Sequence, residues 1–229
     1  MASDLLERIK ELIIDRRLPP GAPMPSEREL TELLGTGRTC VREALKALQA
    51  MGIVDIRHGF GTYVGPMSMA PLTEGLAFRT VAGHYRGEDS LLQLLELREA
   101  LETGLAGRLA GRLAEADLAE LDALVARMEE EALDGAVRVE TDRAFHAALC
   151  RGLDNPLLSE VLEAFWSAYR RVRADLPEQR SADPRASCAR HREIVAAIRA
   201  GDSLRAQAAI RDHFCNIRSH LRLTYRFAR

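Results

Sequence analysis

From residue 72 to residue 227 apolar side chains recur at three- and four-residue intervals, and no convincing strand pattern interrupts them. That period belongs to helices with one buried stripe, so a chain like this folds as a mainly α protein. The helical segments fall at 72–85, 90–113, 115–132, 137–153, 156–176, 184–200 and 203–227. Gly83, Gly87, Gly135, Gly152 and Gly201 punctuate their ends, and Asn155-Pro156 supplies an N-cap followed by a first-turn proline. Short connections predict an all-helical antiparallel bundle of six or seven helices.

The first 64 residues have a different pattern. Leu5, Ile9, Leu12 and Ile13 give a helix over 4–17, which Pro19, Pro20 and Gly21 stop. Ser26 with Glu29 three residues on is a capping box, opening a short helix that ends near Leu34 and Gly35. A further helix runs over about 37–51 with Val41, Ala44, Leu45 and Leu48 on its inner face, and Gly52 closes it. Two extended runs, IVDI at 53–56 and GTYV at 61–64, flank the turn-prone RHGF. Three helices and a hairpin make a winged helix-turn-helix. GPMSMAP, at 65–71, has the composition of a linker. The expected organisation is a DNA-binding domain at 1–66, a linker at 67–72 and a helical domain at 73–229.

Net charge excludes a protein that binds nucleic acid by bulk attraction, because 32 basic residues face 34 acidic ones. Position still permits a local basic face. Arg38, Arg42 and Lys46 are spaced by four along one helix side, where residues 36–51 hold a single acid, Glu43. Arginine can grip guanine or clamp phosphate, and Thr39 near the helix start reaches either. An ordinary solvated arginine face is the alternative for a helix read alone.

The run LPPGAPMPSERELTELLGTGRTCVREALKALQAMGIVDIRHGFGTYV, residues 18–64, resembles the DNA-binding domain of the GntR family of bacterial transcription regulators. The resemblance implies that the double-stranded operator is touched by Arg28, Arg38, Thr39 and Arg42, and by His58 and Gly59 at the wing tip. This chain departs from the family at Thr36 and Gly37, where a hydrophobic residue and a Ser or Thr are usual. Gly37 offers no side-chain cap, only its backbone N–H.

Four side chains in the helical part have metal-ligand character. Asp142 and His146 share one helix face in DRAFH, and His191 and His213 lie on the last two helices. Spacing alone equally allows core histidines satisfied by neighbours. The segments DRAFHAALCRGLDNPLL, HREIVAAIRAGD and AAIRDHF, however, resemble the FCD effector domain of the FadR subfamily of these regulators, over about residues 90–222. That resemblance implies a divalent metal held by Asp142, His146, His191 and His213: zinc first, with nickel or manganese as alternatives. It points away from the fatty-acyl-responsive branch. Four N and O ligands leave one or two positions open for an acid anion. The same resemblance places Arg98 against the effector's carboxylate, a role its forked guanidinium suits. The other account of Arg98 is a solvent-facing i,i+4 partner of Glu102. His220 is a spare ligand candidate, His84 has no partner pattern, and Phe165, Trp166 and Tyr169 are packing residues that could also wall a pocket.

The expected function is therefore a homodimeric, carboxylate-responsive transcription repressor on a pseudo-palindromic operator, and not an enzyme. A helical metalloenzyme is the runner-up, weakened because no Glu or Asp is marked by spacing as a base near the ligands. A purely structural metal is a third reading. With no apolar run near bilayer length, no signal peptide and four cysteines without a CxxC pair, a cytoplasmic protein without membrane contact is expected.

Overall fold

The computed structural model describes residues 2–174 and 183–227. The chain divides into two compact units, 1–72 and 73–229.

In the first unit, α1 (Ala2–Asp15), α2 (Glu27–Leu34) and α3 (Arg38–Ala50) precede a hairpin of β1 (Val54–Arg57) and β2 (Gly61–Val64). Helix α3 is the hub, with α1, α2 and β1 all packed on it. Val41, Ala44, Leu45 and Leu48 of α3 meet Leu5, Ile9 and Ile13 of α1 and Leu30 and Leu34 of α2 in one apolar core. An eight-residue helix such as α2 is too short to stand alone. Burial of its leucines, about 1.5–3 kcal/mol each, holds it. Ser26 and Glu29 form the expected capping box, and Gly35 ends α2 at φ 61°, a left-handed conformation that glycine adopts without strain.

The hairpin pairs Val54 with Val64 and Arg57 with Gly61. Its first strand begins one residue later than expected because the Ile53 N–H is engaged by the Leu48 carbonyl at the end of α3. The segment after Pro20 is also more than a stop: Gly21 and Met24 donate to the Val64 and Thr62 carbonyls, and Ala22 accepts from Val64, so this stretch lies alongside β2.

Helix α4 (Ala70–Tyr85) begins just before the boundary and runs into the second unit, which also holds α5 (Ser90–Leu109), α6 (Glu115–Leu133), α7 (Val139–Arg151), α8 (Pro156–Ala174), α9 (Pro184–Arg199) and α10 (Ser203–Phe227). Helix α4 starts inside the stretch read as linker, because Pro71 fits a first helical turn. The expected end of α8 at residue 176 lies outside the described residues. Helix α5 stops short of residue 113: Ala110 leaves the helical region, and Gly111, at φ 69°, donates to the Ile198 carbonyl. Helices α7, α8, α9 and α10 all pack against α5. Leu91, Leu95, Leu105 and Leu109 of α5 are buried among Phe145, Ile194, Ile198 and Phe214.

Candidate metal centre and nucleic-acid interface

Helix α7 carries Asp142 and His146 one turn apart, on the face where Phe145 and Leu149 enter the core. His191 of α9 and His213 of α10 come from faces that also bury Ile194 and Phe214. One ligand atom from each of these four residues lies within 4.8 Å of all the others. The three imidazoles are buried and Asp142 is partly so. Asp142 Oδ1 stands 3.0 Å from His191 Nε2 and 3.8 Å from His146 Nε2.

The hydrogen bonds on the far sides of the rings decide which atoms face inward. His191 Nδ1–H donates to the Ser187 carbonyl at 2.9 Å, which leaves an Nε2 lone pair beside the Asp142 carboxylate. His146 Nδ1–H donates to Glu102 Oε2, and His146 Nε2 is buried without a partner. His213 Nε2 is likewise buried and unpartnered. Two acceptors 3.0 Å apart and two orphaned imidazole nitrogens form an arrangement that a cation satisfies. The donor set suits it: neutral imidazoles and an ionised carboxylate are what a borderline divalent ion takes. Burial, with His191 and His146 adding to it, pushes His213 well below the ordinary histidine range, keeping it neutral.

Arg98 is 3% exposed and Glu102 2%. They do pair, Arg98 Nε to Glu102 Oε1 at 2.6 Å, but inside the bundle and not at a solvent-facing surface as the i,i+4 account expected. The Arg98 guanidinium lies 4.1 Å from the Trp166 ring centroid and 5.0 Å from that of Phe214. Its Nη2 and the Trp166 Nε1 are buried donors without partners. Burial works against the Glu102 charge, yet Arg98 and His146 keep its carboxyl below the ordinary value. Sequence reasoning found no acid near the ligands and so missed Glu102. The available signal was α5 itself, LLQLLELREALETGLAGRL, whose apolar residues reach around much of the helix and mark it as central. The His220 side chain lies outside the described residues.

In the first unit, Arg38, Thr39 and Arg42 sit exposed on α3, Arg28 on α2, and His58 and Gly59 at the hairpin tip, with Gly59 at φ 81°. Arg42 lies 3.6 Å from Glu27, Arg28 lies 3.7 Å from Glu32, and Lys46 pairs with Glu43 at 2.9 Å. Arg38 has no ion-pair partner among the described residues. Gly37 caps α3 with no side-chain hydrogen bond.

A winged helix-turn-helix followed by a helical unit with a buried Asp–His cluster is the organisation of a DNA-binding transcription regulator with an effector domain. The gntR family of bacterial regulatory proteins matches residues 1–64 and the FCD domain matches residues 93–216. The chain belongs to the GntR family, with an FCD domain as its helical part. It is 30% identical over 210 residues to the HTH-type transcriptional regulator LutR of Bacillus subtilis, covering 90% of this chain and 94% of that one. It is also 30% identical over 230 residues to the Glc operon transcriptional activator of Escherichia coli, covering 94% and 86%. A solved Streptococcus agalactiae GntR structure superimposes with a TM-score of 0.66 at 28% identity, over 96% of this chain and 99% of that one. The family and these relatives are transcription regulators, not enzymes. FCD domains often bind a metal. No described helix is long and apolar enough to cross a membrane.

Proposed function

We propose that this protein is a cytoplasmic, homodimeric repressor that senses a small carboxylic acid at a metal-containing pocket. The observation that carries the reading is the cluster of Asp142, His146, His191 and His213, in which the buried Nε2 atoms of His146 and His213 have no hydrogen-bond partner. These four residues would hold a divalent ion, zinc first, which supplies a Lewis-acid site for an anion. Arg98, with its unpaired Nη2, would take the effector's carboxylate.

Arg38 and Thr39 would read base edges in the major groove, while Arg28, Arg42, His58 and Gly59 would meet backbone or minor groove. The surface pairs of Arg42 and Lys46 with acids are worth little, so phosphate displaces those acids readily. With no side-chain cap at Gly37, the first N–H groups of α3 remain for a phosphate. Two heads on one dimer would match a pseudo-palindromic operator. An effector that binds one arrangement of the helical unit more tightly would shift operator affinity by linkage. Repression relieved by effector is the commoner mode in the family.

The test is metal analysis of the purified protein, followed by a thermal-shift screen of small carboxylates with and without added zinc. The expected result is stoichiometric metal and an acid that raises the melting temperature only when metal is present. The same acid should weaken binding to a duplex selected from genomic fragments. Protein without metal affinity, or operator binding indifferent to every stabilising acid, rejects the reading.

A further inference from the structure

Glu102 belongs to neither half of the proposed pocket and touches both. Its Oε1 accepts from Arg98 Nε–H at 2.6 Å, and its Oε2 accepts from His146 Nδ1–H. Each partner then carries another nitrogen that is buried and unpaired: Nη2 on Arg98 and Nε2 on His146. Resting on the metal-and-carboxylate reading above, we propose that Glu102 is a positioning residue coupling the cation and anion halves of the pocket. It holds His146 in the tautomer that offers Nε2 to a divalent cation, and holds Arg98 in the orientation that offers Nη2 to a carboxylate.

The coupling follows from one negative charge shared by two donors in a dry interior, where charge is poorly screened. A cation on His146 polarises the imidazole and strengthens its Nδ1–H bond to Glu102. The carboxylate then compensates the guanidinium less, which leaves more of that positive charge for an anion. Linkage makes the effect reciprocal, so an anion at Arg98 tightens the cation site. Glutamine cannot do the same. An amide that accepts from Arg98 Nε–H turns its NH2 toward His146, whose Nδ1 must then accept and whose Nε2 must carry the proton, the wrong tautomer for a metal.

The experiment titrates the full-length protein with zinc, with and without acetate as the probe anion, and follows cobalt(II) absorption as a check on the ligand set. In the unaltered protein acetate tightens zinc binding. In Glu102→Gln zinc binds about 10–100-fold more weakly, as for loss of a ligand's supporting hydrogen bond, and the acetate enhancement disappears. In Glu102→Asp, which keeps the buried charge but is one methylene too short to bridge both donors, the enhancement also disappears; this variant decides the matter if Glu102→Gln fails to fold. Wild-type enhancement retained in either variant overturns the coupling, even where zinc affinity has dropped, because Glu102 then only seats His146. Zinc binding that acetate does not enhance in the unaltered protein also overturns it while leaving the metal site standing. An unaltered protein that takes up neither zinc nor cobalt overturns the functional reading itself.

Discussion

Among the described residues, Thr62 alone of the polar side chains is buried in residues 1–72, whereas the unit at 73–229 buries nine, including Arg98, Glu102, His146, His191 and His213. The first unit keeps its cations outside, on α2, α3 and the hairpin, where ion pairs with Glu27, Glu32 and Glu43 cost little to make and little to break. The second carries charge into its core, where desolvation is expensive and every lost partner is felt. The contrast matches the sizes of the two proposed ligands. A polyanion too large to enter must be met at the surface, and a small anion is best distinguished where water is excluded.

That contrast is broken most severely by stranding a buried charge. Glu102→Leu leaves Arg98 without its counter-ion and should cost the helical unit about 3–5 kcal/mol, read as a lower urea midpoint for that unit with the 1–72 transition unmoved. Equal losses in both units would erase the distinction. Next, His191→Ala should lower zinc affinity by more than about 100-fold, beyond the cost of losing a supporting hydrogen bond, with duplex binding by the metal-free protein unchanged. In the opposite direction, Arg38→Ala should weaken operator binding by about 1–3 kcal/mol, measured by fluorescence anisotropy, and leave zinc uptake as it was. Smaller still, Ser26→Ala removes the cap of α2 and should cost the first unit about 1 kcal/mol and the helical unit nothing. A last difference is seen with pH in the metal-free protein. The folded-state value of His213 lies below that of the unfolded chain, so as pH falls through the ordinary histidine range the unfolded state binds a proton that the folded state refuses. Stability of the helical unit is therefore greatest above that range and declines below it. Circular dichroism melts at pH 7 and pH 5 should show that unit shifting more than the first.

Sequence reading reached the two units unequally for the same reason. In the first, local signals determine structure: Ser26 with Glu29 marks a helix start, Val41, Ala44, Leu45 and Leu48 mark the buried face, and the exposed cations follow by exclusion. In the second, periodicity located the helices and the resemblance grouped Asp142 with three histidines. It also set Arg98 against an effector, but it did not reveal that Glu102 is internal and paired with Arg98 there. An acid four residues after an arginine normally signals a solvated helix face, and only the position of α5 among four other helices reverses that. The missed pairing of residues 21–24 with β2 is also tertiary, since nothing within PPGAPM declares a partner strand.

Trp166 is the chain's single tryptophan, and it lies under the Arg98 guanidinium with its ring centroid 6.1 Å from that of His146. Excitation at the red edge of the aromatic band, where the tyrosines do not absorb, therefore reports from one address. Occupancy at either neighbour would change the brightness or colour of that emission, giving an optical assay that needs no label and no engineered reporter.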